Sequence, residues 1–347
     1  MSTIGDVLNL KIAVMTGKKI RIALIGAGGM GKRWAHALGQ AKDFVVRVVA
    51  DVNVERAKSL AVFFKKCDII ADWRAVMKNK NIDAVVVVTP HRFLAPIAQS
   101  ALLHGKHVLS EKPGGITSAE IKKNITLAKR CQRRYMIGFN HRFHSAFLLA
   151  RKLFEQGKIG KPLFIRARYG FGGREGYEKE WRLKKTISGG GELIDQGVHM
   201  IDMARSFLGD FSEVTGFAED LFWGTGADDN AMLILKTKKN LLASIHVSWS
   251  NWMPVHNFEI FGTKGFLSVE GLGRKYGGTE KVIWGKRSEK NPDHPVEKEF
   301  ICDPDVDKSL GRALSEFARS IRSDREPVPN GQDAYEVLKI VEKIYKR

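Results

Sequence analysis

Ile20-Arg21-Ile22-Ala23-Leu24-Ile25-Gly26-Ala27-Gly28-Gly29-Met30-Gly31 decides how this chain reads. Six mostly apolar residues, three of them isoleucine, make a strand, and the glycines after it open a helical stretch. Gly26 permits a tight turn, Gly28 lets the backbone approach a pyrophosphate, and Gly31 lets helix and strand pack closely. Gly29 and Met30 complete the turn, where the bare amides of a helix N-terminus meet phosphate charge. A glycine pattern of this form is weak by itself. It gains weight from Asp51, about 20 residues further on at the end of the next strand, where an adenosine ribose is expected. A carboxylate there accepts hydrogen bonds from the 2′- and 3′-hydroxyls and repels a 2′-phosphate. Val52 and Asn53 offer no arginine to such a phosphate, so the cofactor expected is NAD, with NADP second.

Working outward, strands are predicted at 20–25, 45–51, 68–71, 84–89, 107–110 and 135–138. Amphipathic helices fall between them at 33–40, 54–64, 95–104 and 118–130. The run Ala84-Val85-Val86-Val87-Val88 is apolar on both faces, as only a strand covered from both sides tolerates. Strand–helix repetition of this kind makes a parallel, doubly wound sheet. After residue 140 the texture changes. A helix at 146–156, a strand at 163–169, a glycine-rich loop and a long helix at 192–208 come first. Strand runs at 212–218, 231–237, 241–248, 258–261 and 266–270 follow, and these read as a mostly antiparallel sheet. Helices at 308–323 and 332–346 close the chain. The fold class is therefore α/β plus α+β. The expected units are an extension (1–19), a dinucleotide-binding domain (20–140), a second α+β domain (141–330) and a C-terminal helix (331–347).

Composition removes several alternatives. The chain has 347 residues, 44% apolar and 27% charged, the balance of a globular protein. It contains no apolar run of 18 or more residues, so no membrane span is expected. Residues 1–19 have neither the apolar core nor the cleavage site of a signal peptide. Cys67, Cys131 and Cys302 lie far apart, which argues for a reducing cytoplasm and against a disulfide framework. The 57 basic residues exceed the 38 acidic ones, giving a net charge of +19. They are scattered as pairs such as Lys65-Lys66 and Lys184-Lys185, so no nucleic-acid partner is expected, whereas an anionic small molecule would be attracted. His104 with His107, and His141 with His144, have metal-like spacing but too few neighbouring ligands, so no metal is expected. Trp223, Trp249 and Trp252 suit either a sugar-stacking surface or a core.

The candidate chemistry lies in two places. Glu111-Lys112-Pro113 follows the fifth strand, where ligands of an open parallel sheet bind, so Lys112 is expected to face the cofactor crevice. Asp195 and His199, four residues apart on the long helix, project from one face. A carboxylate beside an imidazole can hold one tautomer and raise its basicity, as a general base needs. Each of these also has a plain reading, as a surface lysine and an intrahelical pair.

Taken together the motifs resemble the glucose–fructose oxidoreductase and inositol dehydrogenase family, Gfo/Idh/MocA. The resemblance runs from Ile20 nearly to the C-terminus. It rests on Gly26 to Gly31, Thr89-Pro90, Gly105-Lys106-His107-Val108 leading to Glu111-Lys112-Pro113, Gly138-Phe139-Asn140 with Arg142-Phe143, and Ser188-Gly189-Gly190-Gly191 leading through Asp195 to His199-Met200-Ile201-Asp202. It implies a Rossmann domain, an open C-terminal sheet that pairs copies into homodimers or homotetramers, and hydride transfer at a hydroxyl carbon of a sugar, cyclic polyol or nucleotide-linked sugar. By the same resemblance Lys112, Asp195 and His199 are catalytic. His199 takes the hydroxyl proton, Asp195 assists, and Lys112 bonds the reacting oxygen. Thr89, Pro90, His91, Glu111, Asn140 and Arg142 are implied near cofactor or substrate. The chain departs from the family at His91 and Leu94, where an asparagine and a histidine are common, and at Trp34, which replaces a frequent histidine and reads as packing. Two other readings fit the residues: an NAD-retaining enzyme that breaks glycosidic bonds, and a non-catalytic dinucleotide-binding regulator.

Overall fold

The computed structural model describes residues 18–291, 294–302 and 307–346. The extension expected at 1–19 lies almost wholly outside the described residues. The first half runs β1 (Ile20–Ile25), α1 (Gly29–Gln40), β2 (Phe44–Ala50), α2 (Val54–Ala61), β3 (Asp68–Ile70), α3 (Trp73–Lys78), β4 (Ala84–Val87), α4 (His91–Leu103), β5 (His107–Glu111), α5 (Ser118–Arg130) and β6 (Tyr135–Gly138). Its six strands are all parallel, in the order β3-β2-β1-β4-β5-β6. Alternate residues of β1 enter different cores: Ala23 and Ile25 on one face, Ile22 and Leu24 on the other. Both faces are covered, which is why the strands carry near-continuous apolar runs.

The strand order reverses between β1 and β4. Ligands of such sheets bind beyond the strand ends at that reversal. The glycine turn follows β1 and Thr89-Pro90 follows β4, so the two motifs flank it.

A 3₁₀ turn (Asn140–Phe143) leads into the second half, which holds α6 (Ser145–Glu155), β7 (Pro162–Gly170), α7 (Lys185–Ser188), a π-helical turn (Leu193–Gly197) and α8 (Val198–Leu208). The strands β8 (Phe211–Glu219), β9 (Asn230–Thr237), β10 (Leu242–Ser248), β11 (Val255–Gly262), β12 (Gly265–Leu272), β13 (Tyr276–Lys286) and β14 (Val296–Ile301) come next, then α9 (Ser309–Arg322) and α10 (Gly331–Tyr345). The eight strands form one mixed sheet in the order β14-β13-β12-β11-β7-β10-β9-β8; only β7 and β10 pair in parallel. Helices α6, α8 and α10 cover one face. The opposite residues, among them Phe164, Phe217, Met232, Ile234 and Leu242, are exposed.

The elements differ from expectation most clearly in four ways. α3 has only six residues, too short for a periodic signal. β13 and β14 carry charges and glycines that mask alternation, which the outer strands of a sheet tolerate. α4 begins at His91 and includes Pro96, where a helix starting near the proline was predicted. The long helix at 192–208 is two elements, because Leu193–Gly197 is π-helical. π turns inside helices often mark functional sites.

The chain's end ties the two sheets together. Leu310, Ala313, Leu314 and Phe317 of α9 enter the core built from Ile22, Leu24, Trp34 and Leu38, although α9 was grouped with the second domain. Asn330 caps α10 in a reciprocal capping box with Asp333. That helix lies on α5, and Glu342 accepts hydrogen bonds from the Ser118 amide and hydroxyl, each 2.7 Å.

Candidate active site

The glycine turn has the geometry of a phosphate cradle. Gly26 has φ +107°, and a Cβ there would lie 2.6 Å from the Val88 carbonyl oxygen. A Cβ on Gly31 would lie 2.3 Å from the Gly26 oxygen, so the helix can approach the strand only without one. Gly28 and Gly29 are different: a Cβ would meet nothing within 4 Å, so the backbone there is open to a ligand. Gly28 caps α1 with no side-chain hydrogen bond, leaving helix amides for an anion. Asp51 closes the rim, its carboxylate accepting from the amides of Ala27 (2.6 Å) and Asn53 (2.8 Å). Met30 packs against the core, and the Thr89 hydroxyl is buried without a partner among the described residues, beside Pro90. These groups fit a dinucleotide.

At the end of β5, Glu111 is buried and accepts from the Trp34 indole N–H at 2.6 Å. Trp34 is therefore more than packing: it orients a carboxyl that burial pushes up from its usual range. The Lys112 amide donates to the same carboxyl at 3.2 Å. The peptide between Lys112 and Pro113 is cis.

Lys112 reaches across the domain boundary. Its ammonium donates to the carboxylate and to the main-chain oxygen of Asp195, which sits in the π turn. Arg182 Nε donates to the other Asp195 oxygen at 3.1 Å, and His91 Nε2 lies 3.5 Å from the first. Burial alone would raise this carboxyl, but Lys112 and Arg182 outweigh it and hold Asp195 well below the usual carboxylate range.

His199, the second residue of α8, is buried. Burial lowers its imidazole well below the usual range, and the neighbouring Lys112 lowers it further. Contrary to expectation, no hydrogen bond joins it to Asp195. Its Nδ1 is buried without a partner among the described residues, and its ring stacks on His141 with centroids 3.9 Å apart and planes 9° from parallel. A neutral imidazole there can accept a proton; a lysine ammonium nearby can stabilise an oxygen that carries negative charge.

Three residues expected near cofactor or substrate have protein partners of their own. Arg142 bonds both oxygens of Asp202, at 2.7 and 2.6 Å, and lies 3.0 Å from Asp333. Asn140 donates to the Ser309 hydroxyl at 3.1 Å. His91 Nδ1 bonds the Ser188 carbonyl at 2.9 Å, so this ring links α4 to the second domain and to Asp195. A motif brings residues close in sequence but does not say which way each side chain turns.

The sequence reading missed Arg182, in the segment between β7 and α7, and the contact of His141 with His199. It also missed Glu192, whose carboxyl is buried with neither oxygen partnered among the described residues; burial, with Asp195 and Asp228 nearby, pushes it well above the usual range. Among the described residues no group of three or more His, Cys, Asp or Glu side chains is arranged to hold a metal. Trp249 is fully buried, whereas Trp252 is exposed and meets Phe222 edge-on at 4.7 Å.

A doubly wound nucleotide-binding sheet that contributes a lysine, joined to a mixed sheet whose helix contributes a carboxylate and an imidazole, defines a two-domain oxidoreductase. The family model for an oxidoreductase with an NAD-binding Rossmann fold matches residues 20–139, and the GFO/IDH/MocA C-terminal domain matches 147–268. The chain belongs to the Gfo/Idh/MocA oxidoreductase family. It is 34% identical to levoglucosan dehydrogenase of Pseudarthrobacter phenanthrenivorans over 207 residues, 57% of this chain and about half (53%) of that protein. It is 24% identical to myo-inositol 2-dehydrogenase of Thermotoga maritima over 323 residues, 90% of this chain and 92% of that one. A solved levoglucosan dehydrogenase in complex with NADH and levoglucosan superposes with a TM-score of 0.84 at 26% identity, over 95% of this chain and 98% of that one. The protein is thus an oxidoreductase whose relatives include dehydrogenases of sugars and inositol.

Proposed function

We propose that this protein is an NAD-dependent dehydrogenase that oxidises one secondary hydroxyl of a sugar or cyclic polyol. The observation that carries the reading is the meeting of Lys112, from the nucleotide-binding sheet, with the Asp195–His199 segment of the second domain. NAD, held by the Gly26–Gly31 turn and Asp51, would supply the hydride acceptor. The protein's own groups handle the proton and the charge. Lys112 donates a hydrogen bond to the reacting oxygen, which favours the alkoxide-like charge that develops as the hydride leaves. His199, kept neutral by burial, takes the hydroxyl proton. Asp195 holds the Lys112 ammonium in place and neutralises part of its charge, with Arg182 and His91 fixing the carboxylate in turn.

Asp51 at the rim of the glycine turn supports NAD over NADP. The relatives' substrates support a sugar or polyol, and the net charge of +19 supports one that carries an anionic group, such as a phosphorylated or nucleotide-linked sugar. The exposed apolar residues on the open face of the second sheet support assembly of two or four copies through that face. Three free cysteines fit a cytoplasmic setting. The deciding experiment screens levoglucosan, myo-inositol and their phosphorylated and nucleotide-linked counterparts with NAD and NADP, following nicotinamide absorbance. Absence of NAD-dependent turnover across the panel would count against the reading.

A further inference from the structure

A carboxylate bonded to an imidazole sets its plane and tautomer. Asp195 does not do this for His199: its oxygens are engaged by Lys112, Arg182 and His91, and His199 Nδ1 has no partner among the described residues. A general base must still be held to within about 0.5 Å and 10–20° of its working geometry. In this protein packing has to supply that restraint.

The partner on the ring face is His141, while Phe139 meets the ring only edge-on at 6.1 Å. The His141 ring lies face to face with His199 at 3.9 Å and 9°, and Phe147 lies parallel to His141 at 6.4 Å and 13°. The rings of Tyr169, His256 and His144 meet His141 edge-on at 5.4, 5.7 and 5.8 Å. Edge-to-face and stacked contacts of this kind have a preferred geometry, so they resist rotation of the central ring.

The turn that carries His141 is itself pinned from three sides. Asn140 donates to Ser309, Arg312 Nη1 donates to the Phe143 carbonyl at 2.8 Å, and Arg142 grips Asp202 and reaches Asp333. Asp202 lies on α8 three residues beyond His199, so turn and helix meet twice: ring on ring, and guanidinium on carboxylate. A displacement of α8 would strain both contacts together.

We infer that His141 is a positioning residue for His199, and that the Arg142–Asp202 pair fixes the helix against which the stack works. The inference rests on the reading of His199 as the base. It needs the planar face of residue 141, not its nitrogens.

The test compares His141→Ala, His141→Leu and His141→Phe in the full-length enzyme, using the sugar or polyol that the wild type oxidises and crystal structures of each variant with NAD. A misplacement of about 1 Å can cost on the order of 100-fold in rate. His141→Ala is expected to lose roughly that factor in kcat, with KM and NAD affinity within about threefold of wild type. His141→Phe should stay within about threefold of wild type and keep the His199 ring plane. His141→Leu, which fills space without a flat face, should resemble His141→Ala. Wild-type activity in His141→Ala, equal rescue by leucine and phenylalanine, or an unmoved His199 ring in the alanine and leucine variants would each overturn the inference. His199→Ala separates the two levels: if it keeps turnover the base assignment fails, whereas if it is inactive while His141→Ala is normal only the positioning role fails.

Discussion

The Lys112 ammonium donates to both the carboxylate and the main-chain oxygen of Asp195, so the end of β5 is joined to the π turn of the other domain by two bonds from one group. The contact joins the nucleotide-binding sheet to the second domain, and it takes a flexible side chain out of free rotation. Lys112→Met keeps most of the length and removes the charge. Loss of a donor aimed at developing oxygen charge costs about 100- to 1,000-fold in kcat. That loss should appear in steady-state turnover while NAD affinity, read by tryptophan fluorescence, changes little.

Asp51 accepts from the Ala27 amide and so also steadies the glycine turn. Asp51→Ala is expected to weaken NAD binding by roughly 10- to 100-fold, the equivalent of one or two charge-assisted hydrogen bonds. Binding of NADP should fall much less, because the repulsion of its 2′-phosphate goes too. Titration calorimetry with both nucleotides checks this, and an unchanged preference would remove Asp51 from the specificity argument.

Stability should fall in acid through the buried histidines. Burial, helped by Arg133 and Arg134, lowers His107 to about 4, and burial lowers His256 to about 3. An unfolded histidine titrates near 6.5. Below that pH the unfolded chain binds protons that the folded chain refuses, so stability drops as pH falls from 6.5 toward the folded values. For His107 alone the loss between pH 6.5 and 4 is on the order of 3 kcal/mol. His107 Nδ1 accepts from the Arg134 amide at 3.0 Å, and asparagine can keep an acceptor there. Urea unfolding of His107→Asn across this range should show a shallower pH dependence than wild type.

The buried Arg142–Asp202–Asp333 group predicts a large asymmetry. Arg142→Met leaves the buried Asp202 without its cation, while Asp333 keeps Arg205 at 3.3 Å, and breaking such a buried pair costs about 3–5 kcal/mol. Arg142→Met combined with Asp202→Leu should recover part of the loss, since apolar replacements of buried ion pairs are often neutral. Chemical denaturation of the single and double variants distinguishes this from a surface role, in which both would resemble wild type.

Much of the nucleotide-binding half was legible because its signals are local. A strand buried on both faces must be continuously apolar, as Val85 to Val87 are, and a turn that admits no Cβ must be glycine, as Gly26 and Gly31 are. The second half was legible only where one face is buried and the other is not, as in β9 and β10. β13 and β14 escaped because outer strands place charges where alternation would be read. At the site Lys112, Asp195 and His199 were expected from motif and resemblance, and the structure brings Lys112 onto Asp195; the other partners of Asp195 were not foreseen. Arg182 comes from a short 3₁₀ turn (Trp181–Leu183), and His91 starts a helix in the other domain.

By itself the sequence determined the strand–glycine–helix unit and the parallel sheet built on it, since these follow from spacing along a few neighbouring residues. Tertiary structure alone decided that His199 leans on His141 instead of bonding Asp195, and that Arg142 faces Asp202 and Asp333. Those pairings join residues dozens of positions apart, and they depend on how helices pack and which way each side chain turns. One-dimensional periodicity carries no information about either.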